Sequence, residues 1–293
     1  MIVIDECLVS VIVVTYNSSD TIIRTLNSIK DQTYKELELI ITDDCSQDST
    51  VKDVRKWLET NKKRFCSVRV LKAKRNHGVV KNCNIGASVS KGKYIQFFAG
   101  DDIMVSDAIE KKVAFAEKNS ISYVFSRVRV IGKDKNKVEA MKEFCDRGYS
   151  IIEKGRETQW NEIIKNNYIA GPSGSFILRS FFFKQGMFDL KYSMLEDYPF
   201  IFKYIKKGNK IVLLDEELAY YNITDTSLCT SGNYRFLKSS LLFFICERLP
   251  LLLKYRMFSS IYDNSKYFIY YIIYHFFPTI IERYEKNKNK NRM

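Results

Sequence analysis

Residues 8–16 (LVSVIVVTY) form an almost unbroken apolar, β-branched run. A strand of that kind is covered on both faces, as in a parallel sheet sandwiched between helices. The pattern then repeats. Asp20 can cap a helix in which Ile22, Leu26 and Ile29 share one face. Residues 37–42 (LELIIT) make a second strand, 50–60 a helix, 68–72 a third strand, 79–90 a helix, and 94–98 (YIQFF) a fourth strand. Ser106 caps another helix with Ile109, Val113 and Ala116 on one face, and 121–131 is again strand. Such alternation over about the first 120 residues predicts an α/β fold: a doubly wound, mostly parallel sheet flanked by helices. Its crossovers should be right-handed, and a ligand should bind beyond the carboxyl ends of the strands.

The second half is less regular. Residues 132–150 are polar and Lys-rich with two glycines, and read as loop. A helix is expected near 158–166, a turn at Gly171-Pro172-Ser173-Gly174 and a strand at 175–179. A helix over 197–207 carries Pro199 in its first turn and Gly208 just past its end. Strands at 211–214 and 217–222 follow, and the tail 285–293 (EKNKNKNRM) has the composition of a disordered segment.

Three polar strand exits fall on one rim: Thr15-Tyr16-Asn17, Asp43-Asp44 and Asp101-Asp102. Hard carboxylate oxygens suit Mg²⁺ or Mn²⁺, ions usually held by one or two carboxylates together with substrate phosphates. An Asp pair is equally at home in a turn or a helix cap, so the pairs alone leave both readings open. The net charge of +13 in 293 residues suits an anionic partner, without choosing among nucleotide, nucleic acid and membrane. The basic residues are dispersed, which argues against a nucleic-acid interface. Seven scattered cysteines without a CxxC pair, and only two histidines, argue against zinc and for reduced thiols in a cytoplasmic setting. The first ten residues carry Asp5 and Glu6 and no basic n-region, so no signal peptide is expected. No GxGxxG follows the first strand, which excludes a Rossmann dehydrogenase. No Gly-rich basic loop follows it either, which argues against a nucleotidyltransferase.

The ordered set SVIVVTYN, ITDDCSQDST, FAGDD and LEDYPF resembles the family-2 glycosyltransferases of GT-A fold, over about residues 8–228. The stretches Leu214–Leu218 and Tyr221–Asp225 resemble the C-terminal strand of spore-coat polysaccharide members of that family. The resemblance implies a Rossmann-like, mixed, mostly parallel GT-A sheet over residues 1–235, and the change of composition at Phe236 adds a C-terminal helical extension over 236–293. It implies an inverting transfer from a nucleotide-diphosphate-sugar, a UDP-sugar by the Tyr16 and Asp44 arrangement, to a saccharide or lipid-linked acceptor. It places Thr15, Tyr16 and Asn17 at the base, Asp44 on the base, Asp101 on the ribose, and Asp102 on a divalent Mn²⁺ or Mg²⁺. Asp197, in the Glu196-Asp197 pair, matches the catalytic base, and Gly171 and Ser173 lie in the loop beside the acceptor. Pro199 puts Asp197 at a helix N-terminus, where the dipole favours its ionised form. Lys81 either reaches a phosphate or lies on a solvated helix face. Many family members carry a His late in the domain, where this chain has Thr224, so metal coordination would rest on Asp102, phosphates and water. A non-catalytic nucleotide-sugar-binding scaffold of the same fold is the alternative, against which the full set of acids stands.

From Phe236 onward the chain is rich in aromatic and aliphatic residues flanked by basic ones. The run 267–281 is broken only by His275 and Pro278 and is short of the ~20 apolar residues a spanning helix needs. It reads either as amphipathic helices on the inner face of a membrane or as helices packed on protein.

Overall fold

A computed structural model describes residues 7–169, 171–224 and 234–276. The tail 285–293, the end of the apolar run past 276 and Asp225 of the strand resemblance lie outside the described residues. The first half follows the expected alternation: β1 (Val9–Thr15), α1 (Ile22–Lys30), β2 (Leu37–Asp43), α2 (Thr50–Asn61), β3 (Ser67–Lys72), α3 (Val79–Val89) and β4 (Tyr94–Ala99). A two-residue strand β5 (Ile103–Met104), α4 (Ala108–Asn119) and β6 (Tyr123–Gly132) follow. Beyond them lie α5 (Lys135–Glu153), α6 (Arg156–Lys165), β7 (Ser175–Leu178), α7 (Arg179–Lys184), α8 (Asp197–Lys206) and β8 (Val212–Ile223). The C-terminal helices are α9 (Tyr234–Phe243), α10 (Leu249–Lys254) and α11 (Phe258–Phe276), with a π-turn at Phe244–Arg248 joining the first two.

The described strands make one sheet in the order β3-β2-β1-β4-β7-β6-β8-β5. Pairings within β3-β2-β1-β4 and between β6 and β8 are parallel, while β7 and β5 pair antiparallel. The fold is thus the mixed, mostly parallel α/β sheet the sequence implied. Every residue of β2 is buried, and Val9, Val11, Ile12, Val13, Phe97 and Phe98 have no exposed surface, as strands covered on both faces require.

Three local expectations are corrected. Residues 132–150 are not loop but mostly the 19-residue helix α5, whose N-cap Asp134 accepts from the Asn136 and Lys137 amides. Its apolar face (Cys145, Tyr149, Ile152) was hidden among lysines and by Gly148. That glycine is required by contact, because a Cβ there would sit 1.8 Å from the Tyr168 carbonyl oxygen. The two strands expected at 211–222 are one strand, β8, and the apparent break at Asp215-Glu216 is a register shift opposite Arg127. Helices α1 and α4 start behind Thr21 and Asp107, one residue later than Asp20 and Ser106 imply, without a side-chain cap bond.

An aromatic cluster fixes α7 and α8 on the sheet. Phe97 of β4 lies 5.3 Å from Phe182 and 5.0 Å from Phe188, and Phe200 of α8 lies 5.4 Å from both Phe182 and Phe188. Each such ring contributes about 1.5–3 kcal/mol by burial, so the first turn of α8 is held by its apolar side. The extension is packed against this helix. Phe243 of α9 stands edge-on to Tyr192, Tyr198 and Phe202, and Leu252 of α10 is fully buried. Arg248 donates to the Ile164 and Lys165 carbonyls at the end of α6, where a cation also meets the negative end of the helix dipole. Among the described residues no helix is long and apolar enough to cross a membrane, and the six described cysteines are free.

Candidate active site

Parallel register brings the strand exits together: Thr15 pairs with Asp43, and Val14 with Ala99. The loops after β1 and β2 are stitched to each other. The Asn17 amide donates to Ser46 Oγ and Asn17 Oδ1 accepts from the Gln47 amide, both at 2.8 Å, while the Ser18 amide donates to Thr50 Oγ1 at 2.8 Å. Asn17 thus ties loop to loop with its φ at 50°, and its neighbour Tyr16 stands half exposed above the rim. Thr15 is buried beneath them, and its Oγ1 has no hydrogen-bond partner. A Cβ at position 100 would lie 2.9 Å from that oxygen, so Gly100 leaves it room. A buried hydroxyl without a partner is uncommon in a folded chain and calls for an explanation.

Asp43 turns inward and accepts from the Ser46 amide at 2.9 Å. Asp44 is buried and grips the start of α3: Oδ1 accepts from the His77 amide at 2.8 Å and Oδ2 from the Gly78 amide at 2.7 Å. Each oxygen keeps a second acceptor site. Gly78 has a φ of 96°, and a Cβ there would be 2.7 Å from the Ser193 carbonyl oxygen. Lys81, in the first turn of α3, is exposed and forms no ion pair among the described residues.

Asp101 and Asp102 follow β4. Asp102 has no exposed surface; Oδ1 accepts from the Asn222 amide at 2.9 Å and Oδ2 from Ser173 Oγ. Burial, then the charge of Asp101, hold its carboxyl well above the usual range. Asp101 is half buried, and burial pushes it up to about 6 against the opposing pull of Arg24. Arg24 also donates to the Asp101 carbonyl at 3.3 Å.

Glu196 is the N-cap of α8 and Asp197 its first residue. Asp197 accepts from the Tyr198 amide at 2.6 Å and from the Gly171 amide. The dipole was expected to keep it readily ionised, but burial wins and pushes its carboxyl up to about 6. Burial and the charge of Asp197 push Glu196 to about 8.

The loop from Gly171 to Gly174 links these groups. Its first residue touches Asp197 through the backbone and its third, Ser173, holds Asp102. Burial, and then the charges of Glu196, Asp197 and Asp44, hold the thiol of buried Cys83, on α3, well above its usual range. The Gly171–Gly174 turn therefore joins Asp102, through Ser173, to Asp197, through the Gly171 amide; Glu196 precedes Asp197 at the same helix end, and parallel register sets the exits carrying Thr15, Tyr16 and Asp44 beside the one carrying Asp102. Half-buried Thr224 lies just past the end of β8, two residues from the Asn222 amide on Asp102. Arg24, Asn222 and Arg235, whose guanidinium donates to Asn76 Oδ1 at 2.8 Å, belong to the same neighbourhood and carried no sequence signal. Each arrives from a helix or strand whose local pattern is ordinary.

No cluster of three His, Cys, Asp or Glu residues gathers among the described residues. The donor set that exists is an adjacent carboxylate pair, both members disfavoured as anions by burial. That fits a hard divalent cation bound by one or two carboxylates and completed by phosphate oxygens.

The Glycosyl transferase family 2 profile matches residues 10–185, more than half of the chain. The chain belongs to glycosyltransferase family 2. A curated relative, the Escherichia coli UDP-Glc:alpha-D-GlcNAc-diphosphoundecaprenol beta-1,3-glucosyltransferase WfaP, is 34% identical over 119 residues, 41% of this chain and 45% of its own length. This family-2 chain thus matches less than half of that enzyme. Staphylococcus aureus TarS 1–349 in complex with UDP-GlcNAc superposes with a TM-score of 0.60 at 20% identity, over 81% of this chain and 66% of TarS. The Pyrobaculum calidifontis mannosyltransferase PcManGT, solved with GDP-Man and Mn²⁺, gives 0.60 at 16% identity over 82% of this chain and 64% of its own. Identities so low establish the GT-A fold and nothing finer. The likeness to spore-coat members rests on the two C-terminal motifs alone.

Proposed function

We propose that this family-2 glycosyltransferase moves a sugar from a UDP-sugar to a saccharide or lipid-linked acceptor, with inversion at the anomeric carbon, in the synthesis of a bacterial surface polysaccharide. The observation that carries the reading is the bridge of Gly171 to Gly174 between two carboxylates, fully buried Asp102 on one side and half-buried Asp197 on the other. In a single displacement the acceptor oxygen attacks from the face opposite the diphosphate, so one acid must serve each face. Asp197 takes the acceptor proton as the new C–O bond forms and the bond to the diphosphate oxygen breaks. Its raised pKa suits that task at neutral pH, while Glu196 is protonated there and can donate to an acceptor hydroxyl. Tyr16 offers a ring for the base to stack on, Thr15 Oγ1 and Asp44 offer polar partners to the nucleoside, and Lys81 can meet a phosphate. Asp102 would hold Mn²⁺ or Mg²⁺, which supplies neutralisation of the departing diphosphate, and Asp101 would meet the ribose. A UDP donor and a lipid-linked acceptor are supported by the relatives' names, WfaP acting on a diphosphoundecaprenol carrier and TarS binding UDP-GlcNAc.

Such an acceptor implies a cytoplasmic enzyme working at the inner face of a membrane. The outward side of the extension supports peripheral contact: Leu253, Phe258, Tyr262 and Ile269 are exposed, next to exposed Lys254 and Arg256. Sedimentation with anionic vesicles tests it; protein left in the supernatant at low salt would rule the contact out. The catalytic assignment is tested by Asp197→Asn, which should keep Mn²⁺-dependent UDP binding and lose transfer by at least ~10²-fold. Transfer at an undiminished rate would remove Asp197 from the mechanism.

A further inference from the structure

Beneath the loop that joins the two faces of the site lies a lysine the proposed chemistry does not use. Lys112 is on the inward side of α4 and has no exposed surface. Among the described residues it forms no ion pair. Its Nζ donates to Gln96 Oε1 at 2.7 Å and to the Ser173 carbonyl at 3.3 Å. Gln96, fully buried in β4, donates through Nε2 to the same carbonyl at 3.3 Å and to the Phe97 carbonyl at 2.7 Å. A buried ammonium without a carboxylate is strongly unfavourable, and burial lowers its pKa to about 7. A methionine would fill the volume without that penalty, so what the site gains from lysine is its N–H donors. Those donors converge on the residue whose hydroxyl donates to Asp102. On the other side of the loop the Gly174 carbonyl accepts from Ser126 Oγ at 3.3 Å, so the turn is pinned from two elements.

We propose that Lys112 is a positioning residue: by holding the Ser173 carbonyl from below, it fixes the rotation of the Gly171 to Gly174 turn and aims the Ser173 hydroxyl at Asp102. Once Nζ is gone, the Ser173 carbonyl keeps only the long Gln96 bond, while the ends of the turn stay tied through the Gly171 amide and the Gly174 carbonyl, so the middle of the turn is free to tilt. Asp102 then loses its hydroxyl donor and is held by the Asn222 amide alone. The inference rests on the reading of Asp102 as part of the nucleotide-diphosphate site.

The test is calorimetric titration of UDP in the presence of Mn²⁺ into the full chain, with thermal melts recorded in parallel. Unchanged protein that does not bind UDP would sink the reading of the site itself, separately from any role of Lys112. Given binding, Lys112→Met should weaken it about tenfold, Ser173→Ala by a similar factor, and the double variant by no more than about twofold beyond Ser173→Ala. Lys112→Gln, which keeps a donor at shorter reach, should bind within about threefold of the unchanged protein. If Lys112→Met does not fold, Lys112→Gln carries the comparison, its weakening again vanishing in the Ser173→Ala background. Binding by Lys112→Met equal to the unchanged protein overturns the proposal. So do factors that multiply in the double variant, since they would make the two residues independent. Failure of both Lys112 variants to fold also overturns it, because the lysine would then belong to the folding core.

Discussion

Thr15 and Asp197 show how single side chains set aside stability for a ligand. The Thr15 hydroxyl is buried without a partner. Thr15→Val keeps the shape and removes the orphan, so the free protein should gain about 1 kcal/mol, read as a melting temperature higher by about 2 °C. The same variant should bind UDP more weakly. A lower melting temperature would mean that the hydroxyl is satisfied in the free protein. Asp197 has its carboxyl raised from 3.8 to about 6 by burial. The folded chain therefore holds this proton more tightly than the unfolded one across that window, and its contribution to stability falls as pH rises from about 4 to about 6. Under the proposed mechanism activity should run the opposite way, because Asp197 as base must be ionised: kcat/KM should rise with an apparent pKa of about 6, a value belonging to the Glu196-Asp197 pair. A rise complete below pH 5 would count against Asp197 as a buried base. At this scale the Thr-Tyr-Asn exit, Asp44 and the Asp101-Asp102 pair stood out in the sequence because each follows an apolar strand, whereas Asp197 stood out through the family resemblance and the Pro199 helix start. Lys112, Gln96 and Asn222 were not, because they act through backbone groups far away in the chain.

Among the elements, β1, β2 and β4 and their helices were legible because nearly every residue of these strands is covered on two faces, while the edge strand β3 was legible from its alternating Val68 and Val70 and its position in the repeat. Helix α5 was not. Its lysines fill the solvent side, and Gly148, normally a helix weakener, stands where α5 crosses the Tyr168 backbone. Gly148→Ala forces a methyl to 1.8 Å from that carbonyl oxygen and should cost about 3 kcal/mol, measured as a lower denaturant midpoint with unchanged slope. An unchanged midpoint would show that α5 can shift outward freely. The break read into β8 illustrates the reverse case: two acidic residues suggested a gap, whereas a bulge carries them past Arg127, with which Asp215 pairs.

For the whole molecule, the change of composition at Phe236 marks no structural seam. Phe243 packs on Tyr198, the residue after Asp197, and Arg248 stacks 5.5 Å over the same ring while capping α6. Removing residues 234–293 strips these contacts and exposes Tyr192, Tyr198 and Phe202. The shortened chain should aggregate on size-exclusion chromatography or lose transfer, and a monomer with undiminished kcat would refute the coupling. Packing of the extension could not be read from its sequence, since one aromatic-rich pattern serves a protein core and a lipid surface alike. The four-residue turn has a larger consequence. Because it bonds Asp102 through Ser173 and Asp197 through the Gly171 amide, the proposed mechanism leaves neither half of the reaction to be tuned in isolation. Selection for a new sugar must move through the same clasp that aims the proton acceptor, so donor choice and turnover should drift together as such enzymes diverge.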